Sequence, residues 1–213
     1  MNIKISGGEQ EDGIVVGNTY DKYGARNPIV KWIMNGFESA LSELVSQASP
    51  SSIHEVGCGE GYWVLQWTDK GLSARGCDFS SQVIEMAREN SAQRGLSDTL
   101  FEVRSVYDLQ APRDCAELIV CCEVLEHLED PELALAALQR VVTKNLIISV
   151  PREPLWCALN LARGKYVFSG GNTPGHIQHW SKAAFVRLVS KYFDVQVVKS
   201  PLPWTMLLCR LKP

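Results

Sequence analysis

The sequence predicts an α/β fold: a mostly parallel sheet ending in an antiparallel hairpin, with helices on both faces. Three observations carry this expectation. From Ile53 onward, short apolar runs alternate with helix-compatible stretches, the pattern of parallel βαβ units. The runs at 116–122 and 145–150 are almost continuously apolar, as strands covered on both faces are. The last two runs, 193–199 and 204–211, are joined only by Ser200-Pro201-Leu202-Pro203, a link so short that it favours an antiparallel pair.

The elements follow in order. Residues 1 to about 18 are polar, contain Gly7-Gly8 and Glu9-Gln10-Glu11-Asp12, and read as poorly ordered without a ligand. Asn27-Pro28 is a helix start, a capping side chain followed by proline at the first helical position. Ile29, Ile33, Phe37, Leu41 and Leu44 then recur at helical spacing until Pro50-Ser51-Ser52. Strands are expected at 53–57, 73–78, 99–104, 116–122 and 145–150, with helices at 61–70, 80–94 and 131–142. Asp130-Pro131 repeats the cap-then-proline signal. Ser181 caps a last helix, and Trp180 is placed to pack on Phe185. Residues 151 to about 180 have no obvious strand and read as an insertion, a lid or binding loop, with a short helix from Leu155 to Leu161. The expected organisation is a tail and capping helix at 1–48, then one domain at 49–213.

Composition narrows the function classes. A hydrophobic fraction of 46% and a charged fraction of 21% are ordinary for a globular protein. The net charge of −3 argues against non-specific nucleic-acid binding. The seven cysteines are odd in number and form no Cys-x-x-Cys pair, so they read as small buried hydrophobes in a reducing compartment. No apolar run approaches a membrane-spanning length, and Met1 to Gly8 lacks the apolar core of a signal peptide. A cytoplasmic chain with no membrane partner is expected.

The chemistry begins at Ile53-His54-Glu55-Val56-Gly57-Cys58-Gly59-Glu60-Gly61. Glycines at a strand-to-helix turn permit positive φ and let a ligand touch bare backbone. The dinucleotide fingerprint Gly-x-Gly-x-x-Gly would need glycine at 62, where this chain has Tyr62. Asp78 ends the next strand, about 20 residues beyond the glycines, where a nucleotide-binding βαβ unit places a carboxylate for ribose hydroxyls. A carboxylate can accept from two vicinal hydroxyls at once.

Glu55-x-Gly57-x-Gly59-x-Gly61 resembles motif I of the class I S-adenosylmethionine (SAM) dependent methyltransferases. The parallel sheet ending in a hairpin is also the arrangement that superfamily shares. The resemblance covers roughly residues 50 to 212 and implies a Rossmann-like seven-stranded fold and SAM as cofactor. By it, Gly57, Cys58, Gly59 and Gly61 would meet the methionine carboxylate and Glu55 the ammonium. Asp78 would hold the ribose and Phe79 would cover the adenine. Ser105 and Val106 would flank the adenine, with Asp108 as a substitute for the acid many relatives carry at Ser105. Cys121, near the end of the fourth strand, would lie beside the methionine part. Tyr20 and Arg26 belong to a segment that related enzymes fold over SAM.

The stretch Ile119 to Pro131, with Glu126-His127 within it, resembles the segment after the fourth strand in ubiquinone-pathway and related small-molecule methyltransferases. That places His127, and His176 of the insertion, beside the acceptor as candidate bases. The aromatic residues Trp156, Tyr166, Phe168 and Trp180 either line an apolar acceptor site or form the insertion's own core. Glu123, Glu126, His127 and His176 also resemble the divalent-ion set of small-RNA 2′-O-methyltransferases. The same fragments recur in metal-free relatives, and the reading taken is metal-free. The expected function is methyl transfer to an oxygen or nitrogen of a small molecule. The rivals are a metal-dependent RNA 2′-O-methyltransferase and an inactive SAM-binding regulator.

Overall fold

The structure is a computed structural model that describes residues 3–8, 10–11, 14–18, 24 and 27–212. Strands β1 (Gln10–Glu11) and β2 (Ile14–Val15) pair antiparallel near the N-terminus. Helix α1 (Pro28–Ala48) starts as the sequence predicts, with the Asn27 side chain accepting from the Ile29 and Val30 N–H groups. It buries Met34, Phe37, Leu41 and Leu44 against the sheet, but Ile29 and Trp32 are exposed. The predicted apolar stripe is therefore covered only from Ile33 onward.

The main domain runs β3 (Ser52–Val56), α2 (Tyr62–Asp69), β4 (Ser73–Asp78), α3 (Ser81–Ala92), β5 (Phe101–Val103), β6 (Ala116–Cys122), α4 (Pro131–Val141) and β7 (Val142–Pro151). The insertion follows with α5 (Leu155–Ala162), and then α6 (Lys182–Val189), β8 (Phe193–Lys199) and β9 (Trp204–Leu211). The seven strands form one sheet in the order β5-β4-β3-β6-β7-β9-β8. Strands β3 to β7 pair in parallel, and β9 pairs antiparallel with both β7 and β8. Because β3 lies between β4 and β6, the chain direction of winding reverses there. The crevice outside the carboxyl ends of strands at such a switch point is where open α/β sheets take ligands.

Alternation along β6 divides the core. Leu118 and Val120 face a cluster with Phe37 and Leu41 of α1 and Trp63 of α2. Ile119 and Cys121 face a second cluster with Leu135 and Leu138 of α4 and Phe185 of α6. Both faces are covered, which is why the strand reads as an unbroken apolar run. Strand β5 is shorter than its expected span of 99–104, because Asp98–Leu100 folds into a 3₁₀ turn capped by the Ser97 hydroxyl. All seven cysteines are free. Among the described residues, no helix is long and apolar enough to cross a membrane.

The expectation of a poorly ordered tail does not fit the described part of 1–18. Lys4, Ser6 and Asn18 make hydrogen bonds to α3 and to the glycine loop, detailed below. Tyr20 and Arg26, expected to lie over the cofactor, fall outside the described residues.

Candidate active site

The glycine loop follows β3 at the switch point, and its three glycines have different jobs. All three take positive φ. A Cβ on Gly57 would run into the Val124 side chain, and one on Gly61 would lie 2.6 Å from the Phe101 ring. Those two are glycine so that the loop can pack against the chain beyond β6 and the start of β5. A Cβ on Gly59 would meet nothing within 4 Å, so bare backbone faces open space there. That is the feature a ligand approaching the loop requires.

The loop's N–H groups are largely committed to the protein. Gly57 and Cys58 donate to the Cys77 carbonyl, Gly61 donates to the Cys58 carbonyl, and Gly59 donates to Asp78 Oδ2 at 3.0 Å. These four N–H groups are thus paired within the protein, and at Gly59 it is the Cα that faces open space. Asp78 ends β4 and also accepts from the Ser80 N–H through Oδ1, at 3.1 Å. Burial pushes its carboxyl up to about 6, against the pull of these two hydrogen bonds. Phe79 beside it is exposed.

The remaining cofactor candidates are covered to different degrees. Glu55 is only 4% exposed. Cys121 is wholly buried in the second core cluster, so its side chain serves packing. Burial lifts the thiols of Cys58, Cys121 and Cys122, with Glu55 among the charges that add to it, so these cysteines are neutral packing groups. Ser105 caps a short 3₁₀ turn, its hydroxyl accepting from the Tyr107 N–H, and Val106 is buried.

Beyond β6, residues Leu125–His127 form a 3₁₀ turn. The insertion is pinned to it: the Ile177 and Gln178 N–H groups both donate to the Glu126 carbonyl, at 2.9 and 3.0 Å. This brings His176 against His127, with ring centroids 4.9 Å apart and planes at 85°. His127 Nδ1 lies 2.9 Å from the Gly175 carbonyl, which accepts only if Nδ1 carries the proton. The neutral ring then has its lone pair on Nε2, 4.0 Å from Glu126 Oε1. Burial lowers the His127 pKa, and burial with two neighbouring histidines pushes His176 down to about 3. Both rings are neutral at pH 7. A neutral imidazole can take a proton or ligate a metal ion.

Glu126, His127 and His176 each offer a ligand atom within 4.8 Å of the others. Glu123 does not join them. It sits at φ 60 and accepts from the Ser149 hydroxyl at 2.8 Å and from the Trp204 indole N–H at 2.5 Å. The four-member set considered from the sequence is thus a group of three in space. Of the insertion's aromatic residues, Trp156 stacks on His176 at 5.7 Å and packs near Trp204 at 5.9 Å. Phe168 is fully exposed and Trp180 packs on Phe185 at 5.9 Å, so neither meets the two histidines. Sequence reasoning missed Trp204, which arrives from β9 and carried no local motif.

Residues 54–149 match the family model described as a methyltransferase domain. The ubiquinone biosynthesis O-methyltransferase of Neisseria meningitidis is 30% identical over 90 residues, 41% of this chain and 38% of that protein. The ajmaline N-methyltransferase of Rauvolfia serpentina is 24% identical over 131 residues, 55% of this chain and 45% of that protein. The chain thus spans less than half the length of either relative. The magnesium protoporphyrin IX methyltransferase of Synechocystis PCC 6803, solved with bound S-adenosylhomocysteine, superposes with a TM-score of 0.67 at 16% identity, covering 91% of this chain and 94% of that one. At that identity the likeness shows the fold. The matched stretch runs from the glycine loop through β4 to β7, and the strand order is that of the superposed enzyme: residues 54–149 are similar to a methyltransferase domain, and the chain shares the fold of S-adenosylmethionine-dependent methyltransferases.

Proposed function

We propose that the chain transfers a methyl group from SAM to an oxygen or nitrogen of a small molecule. The observation that carries this reading is the open backbone of Gly59 beside the Asp78 carboxylate, with a neutral histidine pair after β6, the strand that neighbours β3. SAM, when bound, supplies a methyl group made electrophilic by the sulfonium. The residues fit such a ligand. Gly59 leaves room for it, and Asp78 has lone pairs left for ribose hydroxyls after two backbone bonds. Phe79 offers an exposed ring for the adenine, with Ser105 and Val106 toward its other edge. Glu55 is the carboxylate assigned to the ammonium.

The acceptor would lie by His127 and His176. Holding it there in line supplies most of the acceleration, on the order of 7–11 kcal/mol in favourable cases. A hydroxyl acceptor gives its proton to a neutral imidazole, His127 Nε2 or the ring of His176, worth about 10² to 10⁴ in rate. An amine acceptor can lose its proton after attack. The modest insertion and the relatives that methylate metabolites support a small acceptor.

A second reading is favoured by the carboxylate and two imidazoles of Glu126, His127 and His176. This donor set suits a divalent transition ion such as zinc or manganese. The ion would polarise an acceptor hydroxyl, and a vicinal diol or an RNA terminus would then be the preferred acceptor. The test is turnover of methyl-labelled SAM against panels of phenols, catechols, amines and short RNAs, with and without chelator. The metal-free reading expects small-molecule methylation that chelator leaves intact and that, for a hydroxyl acceptor, His127→Ala or His176→Ala slows by about 10² or more. Chelator-sensitive turnover, restored by a divalent ion and lost in Glu126→Ala, would install the second reading instead.

A further inference from the structure

We propose that Glu60 is a positioning residue that fastens the N-terminal arm to the glycine loop, so that arm docking and cofactor binding are coupled. Glu60 lies inside the loop, between the open Gly59 and the packed Gly61, and is 1% exposed. Its carboxylate is turned to the arm. Oε1 accepts from the Ser6 N–H at 3.0 Å and the Asn18 N–H at 2.7 Å, and Oε2 accepts from the Asn18 side-chain amide at 2.5 Å.

Further contacts make this a built attachment. Asn90 of α3, 2% exposed, pairs with Lys4 by accepting from its N–H at 2.8 Å and donating to its carbonyl at 3.0 Å. The same Asn90 amide donates to the Glu60 carbonyl at 3.0 Å, so one side chain ties arm and loop together. Gly17 has φ +62 and packs so closely that a Cβ there would collide with Glu60 Oε1. The arm is also closed on itself, the Ser6 hydroxyl donating to the Val16 carbonyl at 2.7 Å. On the other side of the site, Glu11 accepts from the Ser80 hydroxyl and, at 2.8 Å, from the Ser81 hydroxyl at the start of α3. The arm therefore grips both elements that border the site, the glycine loop and the β4–α3 junction that carries Asp78 and Phe79.

The physical consequence follows from the glycines. A loop with three of them has many conformations to lose on binding a ligand. Hydrogen bonds to the Glu60 carboxylate hold one conformation beforehand, which lowers the ordering cost of binding. Coupling of this kind is reciprocal: whatever the docked arm adds to ligand affinity, bound ligand adds to arm docking. The inference rests on the cofactor reading above.

The test pairs calorimetric titration of S-adenosylhomocysteine with hydrogen exchange at the Ser6 and Asn18 amides. In the wild type, S-adenosylhomocysteine should slow exchange at both amides. Glu60→Ala should weaken binding by roughly tenfold and speed exchange, with Glu60→Gln, which keeps an acceptor, restoring most of both. Because Glu60→Ala changes the loop's own sequence, the decisive variant is Gly17→Val, which leaves every loop residue in place and pushes the arm off Glu60. It should release the arm and weaken binding by a similar factor. A released arm in Gly17→Val with binding within twofold of wild type would overturn the coupling while leaving the cofactor reading intact. A wild type that does not bind S-adenosylhomocysteine would overturn both.

Discussion

Asp78 shows how much one side chain settles. Burial raises its carboxyl to about 6, yet two backbone N–H groups already hold the anion in place. Ribose hydroxyls would donate to that anion and lower its pKa in the complex. Binding should then release a proton near pH 6 and weaken as the pH falls below 6, by up to tenfold per unit until the bound-state pKa is reached. Titration of S-adenosylhomocysteine from pH 5 to 8 checks this. In Asp78→Asn, affinity at pH 7.5 should drop about 10- to 100-fold, for the loss of charge-assisted hydrogen bonds of about 1.5–3 kcal/mol, and the pH dependence should vanish. A wild-type affinity that stays flat across pH 6 would separate Asp78 from the ligand. The position of Asp78 was legible in the sequence, since spacing from the glycines marks it. Which glycine faces the ligand was not, because Phe101 and Val124, which occupy the space at the other two, are brought there by the sheet order.

At the scale of elements, the paired histidines His127 and His176 belong to two segments that local sequence does not connect. Their meeting depends on the Glu126 carbonyl receiving Ile177 and Gln178, and on Gly175 turning its carbonyl to His127. Gly175 has φ +88, and a Cβ there would lie 3.4 Å from His127 Nδ1. Gly175→Val should therefore shift the pair without reaching the glycine loop. Cofactor affinity should stay within twofold of wild type while turnover falls by about 10² or more, the share a base supplies. Equal losses of affinity and turnover would mean that the insertion supports the cofactor instead. The alternation of strands and helices was legible because each carries its own period and caps, as Asn27-Pro28 and Asp130-Pro131 do. The burial of Glu126, at 1%, was not, because the chain that covers it comes from the insertion.

The whole molecule carries opposed titrations. His54, buried on β3 with Nδ1 2.9 Å from the Asp114 carbonyl, has its pKa pushed down to about 4 by burial, and His176 is pushed down to about 3. His127 moves the same way. For these groups the unfolded chain binds protons near 6.5 that the folded chain refuses, so stability falls as the pH drops through that value toward 4. Asp78 has the opposite sign: its raised pKa favours the folded state below its usual value, and that contribution is lost as the pH rises through about 6. Three groups outweigh one, so the urea midpoint should be highest near neutral pH and decline from 6.5 to 4.5. A midpoint that rises toward pH 5 would contradict the buried, neutral histidines.

Fold class and the cofactor half of the site follow from short-range pattern, whereas the N-terminal arm does not. Its residues are polar and glycine-rich, and their partners Glu60 and Asn90 lie far along the chain. Titrating S-adenosylhomocysteine into the wild type and into Gly59→Val, with circular dichroism to confirm that both are folded, tests the cofactor site most directly. A Cβ at Gly59 meets no protein atom, so the branched side chain should project into the space left for the ligand, and the positive φ of 50° adds backbone strain in the loop itself. One-to-one binding by the wild type and none by the folded variant is the expected result. Equal binding by the two proteins, or none by the wild type, would contradict it.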